Sequence, residues 1–439
     1  MGSYIPNTRQ QQEEMLKSIG YDSFEALFSC VPENVKLKGG QLLPAGRSEM
    51  EVAKKMAKLA GKNKIYRHIF RGAGAYSHYI PAAVDSIAGK EEFLTAYTPY
   101  QAEISQGILQ SIFEFQTMIC ELTGMDAANA SVYDGASAAA EGCMMCCERK
   151  RQTIYVSATM NPQVISVIKT YAFGRNARVV VVPQKDGATD LHAFKAMADD
   201  SSACLCLSQP NYYGIIEDIA PMIAAAHEAG AKVVLSCYPT ALGILKTPGE
   251  YGADIAVGEG QPLGIPLGFG GPYLGFMAAT DKMTRKLPGR IVGETVDAQG
   301  NRAFVLTLQA REQHIRREKA GSNICSNEAW CALRASIYMS AMGPGGLWEA
   351  AKQCCSKAHY LCDGLIKAGL RLKYEQPFFN EFVTVSDGLS AEILAALDAK
   401  GILGGLALSE HDILWCATEM NTKASMDQVI EIVGEVLGK

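Results

Sequence analysis

The stretch DIAVGEGQPLGIPLGFGGPYLGF, residues 254–276, decides how the chain is read. It opens on a short apolar run, crosses a glycine- and proline-rich loop, and returns as a second apolar run that continues to YLGFMAA. Upstream lie ASVYD, TIYVSA, RVVVVP, ACLCLS and KVVLSC, with helical segments such as PMIAAAHEAG, residues 221–230, between most of them. Continuous apolar runs split by helices predict strands buried on both faces of a mostly parallel sheet. Residues 66–330 therefore read as one α/β domain.

The flanks differ in character. Residues 1–65 form a polar, helical arm; in SEMEVAKKMAKLAG, Ser48 and Glu51 have capping-box spacing and Gly61 is a natural stop. Val52, Met56, Leu59 and Ala60 fall on one face of that helix. Residues 68–100 are rich in Gly, Pro and Tyr, and a strong helix follows. Its apolar positions Ile104, Ile108, Ile112, Phe115, Ile119 and Leu122 recur at steps of four and three, and Gly124 ends it. From Glu328 the chain is helical to Gly369 and then alternates NEFVTVS, AEILAALDAKG, DILWCATE and a final helix around MDQVIEIVGEVL. Residues 331–439 thus predict a smaller α+β domain.

Composition narrows the function classes. A net charge of -5 gives no basic surface for a phosphate backbone, so nucleic acid is not an expected partner. The uncharged run 263–280 has the length of a membrane span, but five glycines and two prolines make it a loop feeding a strand. The first residues, MGSYIPNTRQQQEEML, carry no apolar core of a secretory signal, and Pro6 stands where a myristoylation signal wants Ser or Thr. Fourteen cysteines then read as reduced thiols of a cytoplasmic protein. CMMCC, residues 143–147, lies in a helical pattern with no second pair at zinc-site spacing, so it reads as core, as do Cys204–Cys206 and Cys354–Cys355. No metal is expected.

Ligands of an open parallel sheet bind beyond the carboxyl ends of its strands. VYDGASAAAEG offers Gly135 and Ser137 at a helix start, where free N–H groups suit a phosphate. The same residues, with Asp134, equally make a turn and an N-cap. Pyridoxal-phosphate enzymes of this architecture usually carry an Asp at the strand end where KVVLSCYPTALG has Ser236, Cys237 and Tyr238. Their Schiff-base lysine should follow DIAVG, where Gln261 and Pro262 stand instead; the chain has no lysine between Lys246 and Lys282. Residues alone point to a fold prepared for a phosphate-bearing cofactor but lacking the groups to run its chemistry. The basic segment REQHIRREK, residues 311–319, reads as a solvated helix face.

Seven stretches carry a family resemblance: YIPNT (4–8), GAGAYSHYIPAAVD (72–85), YTPYQAEISQG (97–107), VYDGASAAAEG (132–142), GEGQPLGIPLGFGGPYLGF (258–276), GRIVGETVD (289–297) and REQHIRREKAGSNICSN (311–327). In order and nearly end to end, they resemble the P-protein of the glycine cleavage system. The nearest form is the alpha, or N-terminal, chain of the version split between two polypeptides. The resemblance implies a pyridoxal-phosphate-dependent transferase type I (aspartate-aminotransferase-like) large domain with a small C-terminal one. It implies a beta chain that carries the lysine and the pyridoxal phosphate, in an alpha2beta2 assembly. That pair decarboxylates glycine, releases CO2 and passes the aminomethyl group to the lipoyl arm of the H-protein.

In this fold class loops of one subunit close over the other's cofactor. The expected contributors are Tyr97, Thr98, Tyr100 and Gln101 of YTPYQ, with Ser322 and Asn323 donating to the partner's phosphate. Where this chain has Gly321 the family more often has Thr. His78 is a further candidate, and Gly135 and Ser137 would mark a vestigial pocket. Arg311, Arg316 and Arg317 would serve ion pairing or the docking of an acidic carrier protein. Two alternatives stand beside this: a self-contained pyridoxal-phosphate enzyme using Lys246 or Lys282, and a non-catalytic scaffold for the beta chain.

Overall fold

The computed structural model describes residues 6–37, 39, 43–96, 98–268, 270–322, 324 and 326–438. Tyr97 and Asn323, two of the expected site residues, lie outside the described residues. The chain divides into two units, Met1–Lys64 and Ile65–Lys439. In the first, helices Arg9–Ser18 and Glu49–Ala60 both start at capping boxes, Thr8 with Gln11 and Ser48 with Glu51. At Ser48 the hydroxyl accepts the Glu51 N–H at 3.3 Å while the Glu51 carboxylate accepts the Ser48 N–H at 2.9 Å. Val52, Met56 and Leu59 are exposed.

The second unit is built on a seven-stranded sheet. Its strands are β1 (Ala127–Ala128), β2 (Thr153–Ser157), β3 (Arg178–Val182), β4 (Ser202–Gln209), β5 (Lys232–Cys237), β6 (Ile255–Glu259) and β7 (Gly275–Ala279). The spatial order is β1-β7-β6-β5-β4-β2-β3. From β6 to β3 every pairing is parallel, and β7 runs antiparallel between β6 and β1. Six of the seven predicted runs are strands. ASVYD is not: Val132 bridges Gly275 at a single point, and the next donor upstream but one, the Ala130 N–H, goes to the Arg290 carbonyl at 2.9 Å, away from the ladder. The edge strand forms earlier, at Ala127–Ala128.

Side chains alternate across the strands into two cores. Tyr155, Leu205, Val233, Leu235, Ala256 and Ala278 face one, with Phe115 and Ile119 of helix α1 (Gln106–Thr123). Ile154, Val156, Cys204, Cys206, Val234 and Val257 face the other, under helix α2 (Gly135–Cys146). Gly124, at φ 68°, gives α1 the left-handed cap that its sequence predicted. Ile104 lies in the 3₁₀ turn before α1 and is exposed. Helix α3 (Pro162–Gly174) covers the same face as α2, and α4 (Ala220–Glu228) the opposite one. An antiparallel hairpin, β8 (Ile291–Val296) and β9 (Arg302–Thr307), follows the sheet.

Helix α5 (Ala329–Ala368) joins the large sheet to the C-terminal one. It breaks at Gly343, whose φ of 61° no L side chain takes readily, followed by Pro344 with no N–H to give. Cys331 to Met339 pack in the first core, whereas Ala358, Leu361 and Leu365 pack in a third. That third core fills a four-stranded antiparallel sheet of β10 (Arg371–Leu372), β11 (Glu381–Val385), β12 (Leu406–Ala407) and β13 (Asp412–Cys416), in the order β10-β11-β13-β12. Helices α6 (Ser390–Ala399) and α7 (Lys423–Val436) close it. His68 and Ile69 pair in parallel with Ile402 and Leu403, which carries the GAGAYSHY segment between the two sheets. No described helix is long and apolar enough to cross a membrane.

Candidate functional site

A cleft of about 370 Å³ opens beyond the carboxyl ends of β4, β5 and β6. Its walls include Tyr76 of the GAGAYSHY segment, Asp134–Ala136, Asn211, Tyr238, Glu259 and Tyr273. At its floor the start of α2 is capped by Asp134, whose carboxylate accepts the Ser137 N–H at 2.7 Å. The Gly135 N–H points instead to the Glu259 carboxylate, at 3.0 Å. An added Cβ at Gly135 would lie 2.8 Å from the Glu259 nitrogen, so a glycine is needed for β6 and α2 to meet here. Glu259 also accepts the N–H groups of Gln261 and Leu274, both at 2.9 Å. Burial pushes its carboxyl up to about 7, against the downward pull of those three N–H donors.

Gln261 stands at the position where the sequence predicted a lysine to be missing. It is 1% exposed. Its amide oxygen accepts the Tyr76 N–H at 2.8 Å, and its amide nitrogen donates to the carbonyls of Tyr76 and Ile265 at 2.9 and 2.7 Å. The Tyr76 ring, pinned this way, lies 4.3 Å from the Tyr238 ring. The Tyr76 hydroxyl donates to Glu381 at 2.7 Å, and Glu381 also accepts the Ala73 N–H at 2.6 Å. Burial drives the Glu381 carboxyl up to about 7.

His78 is buried behind Tyr238. One ring nitrogen contacts the Tyr238 hydroxyl, and the other lies 2.7 Å from the Glu419 carboxylate. Cys354 Sγ donates to the same carboxylate at 3.3 Å and the Tyr79 N–H donates to it at 2.7 Å. Burial would raise the Glu419 carboxyl, but the hydrogen bond and charge of His78 hold it below its ordinary value. His78, Cys354 and Glu419 bring ligand-type atoms within 4.8 Å of one another, and all are already hydrogen-bonded among themselves.

The cleft does not fit pyridoxal phosphate. A phosphate at Gly135 would meet the Glu259 carboxylate, Gln261 offers no amine, and no described lining residue is a lysine, arginine or histidine. Lys246 and Lys282 are exposed, and neither lines the cleft.

The other expected site residues lie elsewhere. Thr98 is half-buried, while Tyr100 and Gln101 are exposed. The Tyr100 hydroxyl takes a hydrogen bond from Arg290, whose guanidinium sits 4.6 Å from the ring centre. Ser322 donates to Glu141 at 2.7 Å and lines a second, basic pocket with Arg311 and Arg316. None of these lines the cleft. Sequence reasoning missed Glu259, Tyr76 and Glu381. The signal for Glu259 was an acid between two glycines at the end of a strand, GEG, where no neighbour in sequence explains it.

Comparison with known proteins places this geometry. A family profile described as glycine cleavage system P-protein matches residues 2–433. A probable glycine dehydrogenase (decarboxylating) subunit 1 of Syntrophomonas wolfei is 50% identical over 434 residues, 98% of this chain and 99% of the relative. The one from Desulfitobacterium hafniense is 47% identical over 444 residues, 99% of this chain and 100% of the relative. A crystal structure of glycine decarboxylase (P-protein) of the glycine cleavage system, in inhibitor-bound form, is 41% identical with a TM-score of 0.93, covering 99% of this chain and 100% of that one. A Burkholderia pseudomallei sphingosine-1-phosphate lyase, at 15% identity and a TM-score of 0.68 over 93% of this chain and 94% of its own, shares the fold alone.

Proposed function

The chain belongs to the P-protein family of the glycine cleavage system, as subunit 1 of the split form, and from that premise we propose that its pyridoxal phosphate sits on a lysine of a separate beta chain. With that partner it decarboxylates glycine, releases CO2 and transfers the aminomethyl group to the lipoyl arm of the H-protein. Bound to the partner, the cofactor supplies the electron sink for decarboxylation. The observation that carries the placement is the filled cleft: Glu259 takes the N–H a phosphate would need, and Gln261 ties down Tyr76 where a lysine would stand.

What this chain adds is shape and donors at the shared site. Thr98, Tyr100 and Gln101 present hydroxyl and amide groups toward the partner's cofactor, Tyr97 is assigned there on the family resemblance, and Arg290 holds the Tyr100 ring in place. Ser322 is assigned to the partner's phosphate, as is Asn323 on the family resemblance. His78 acts inside the chain, positioning Tyr238 at the cleft wall. The assembly is alpha2beta2, with the H-protein as its further partner, and the large domain spans 66–330 and the small one 331–439. Its place is the reducing cytoplasm, in keeping with thirteen described cysteines that are all free thiols.

The test is turnover of the alpha/beta complex with Tyr100→Ala and Ser322→Ala, with assembly followed by size. Shared catalysis predicts at least a tenfold loss of activity in assembled complex. Full activity would leave this chain a scaffold.

A further inference from the structure

The geometry points to a binding site for a phosphate group in the second pocket, which we propose is distinct from the filled cleft. This pocket, of about 230 Å³, forms where the C-terminal half of α2 meets residues 285–289 and the segment after β9. Arg175, Arg285, Lys286, Arg311, Arg316 and Lys319 line it, against two carboxylates, Glu141 and Glu312. Glu141 is engaged by the Ser322 hydroxyl and Lys286 by Glu148, at 2.7 and 3.0 Å. Among the described residues the side chains of Arg175, Arg285, Arg316 and Lys319 have no hydrogen-bonded or ion-paired acceptor, and all four are exposed around the rim.

Arg311 is the built element. Its guanidinium is half-buried, and Nη1 donates to the Leu287 carbonyl, which fixes its plane. Nε and Nη2 are buried without any acceptor. These two nitrogens form the side-on edge of a guanidinium, the pair of parallel donors that grips two oxygens of one anion. Buried donors left open are costly, and native structures rarely leave them so. The neighbouring carboxylate of Glu312 does not take the edge; its own Oε1 is also without a partner. A tetrahedral dianion would take the Arg311 edge with two oxygens and turn the others to Arg316, Lys319 and Arg175 at the rim. Six cations within one small pocket suit two negative charges better than one.

Two sources carry such a group: a phosphate compound free in solution, or the phosphate of the partner chain's cofactor. The second source rests on the cofactor placement proposed above; the first does not.

Calorimetric titration of the full chain with inorganic pyrophosphate, and then of its complex with the beta chain, tests the site. The expected result for the full chain is one saturable site that Arg311→Gln weakens at least tenfold and Arg316→Gln several-fold. Arg371→Gln, in β10 and outside the pocket, should leave it unchanged. Circular dichroism establishes that each variant is folded, and the exposed Arg316 keeps the test valid if Arg311→Gln is not. Pyrophosphate binding retained in the cofactor-loaded complex identifies a solution ligand. Binding lost there, with Arg311→Gln loosening the partner's cofactor on dialysis, identifies the cofactor phosphate. No saturable binding to the wild-type chain, or equal binding by folded Arg311→Gln and Arg316→Gln variants, overturns the site. Finding the cofactor on a lysine of this chain would sink the functional proposal without touching the titration of the chain alone.

Discussion

The two ends of α2 teach opposite lessons. At its N-terminal end, the N–H groups of Gly135, Gln261 and Leu274 all reach the carboxylate of Glu259, and Gln261 closes the Tyr76 segment over it. At its C-terminal end, a half-buried guanidinium keeps two donors open among five exposed cations. One pocket has supplied its own acceptor; the other has cations in excess. A fold of this kind ordinarily keeps phosphate at the first place. Here the chain's own carboxylate holds it, so the unmatched positive charge at the second place is where an external anion is drawn.

The sharpest way to break the comparison is to remove the internal acceptor. Glu259→Ala leaves three N–H donors without their carboxylate and should cost about 3 kcal/mol in chemical unfolding of the full chain. A loss below about 1 kcal/mol would mean that water replaces the carboxylate and the cleft is not self-sealed. A similar magnitude is expected from pH. The folded Glu259 carboxyl, at about 7, lies above its ordinary 4.5. A raised carboxyl favours the folded state while protonated, so its stabilising contribution is greatest below about 4.5 and falls as pH rises through about 7. Between pH 4.5 and 8 the wild type should lose about 3 kcal/mol relative to Glu259→Gln, which stays neutral throughout. Parallel pH profiles for the two proteins would show an ordinary carboxylate.

Packing gives the next effect. Gly135→Ala places a methyl 2.8 Å from the Glu259 nitrogen and should cost about 2 kcal/mol, read as a lower unfolding midpoint. The smallest effect belongs to the basic pocket. Arg316→Gln removes a charge with no acceptor, so stability should stay within about 0.5 kcal/mol of wild type. A marked destabilisation would reveal an internal partner and erase the contrast between the two ends.

Much of the frame was legible in the sequence, because buried strands and capped helices write local patterns. The apolar runs from TIYVSA to YLGFMAA fall on strands, and Gly124 and Ser48 cap the helices that their spacing promised. The CMMCC run is core: Cys143 and Cys146 pack with Cys204 and Cys206 beneath the sheet. ASVYD misled because its apolar pattern is a strand's, while only Val132 meets the sheet, at Gly275, and the Ala130 N–H goes to the Arg290 carbonyl. The break in α5 was hidden for a different reason: MGPGG reads as a boundary only once its two halves are seen in different cores. Gln261 could be named from the lysine gap, but its partner Tyr76 is 185 residues away. Glu259 and Gly135 are 124 apart, and His78 meets Glu419 across 341 residues. Contacts of that span leave no mark in any window of sequence, which is why the filling of the cleft emerged only from the fold.

The most direct measurement is the visible spectrum of this chain with excess pyridoxal phosphate, alone and with its beta partner, followed by borohydride trapping and peptide mapping. The account predicts no bound-cofactor band on the chain alone, and in the complex a trapped lysine on the beta chain only. A trapped lysine in this chain, Lys246 or Lys282 included, would contradict it.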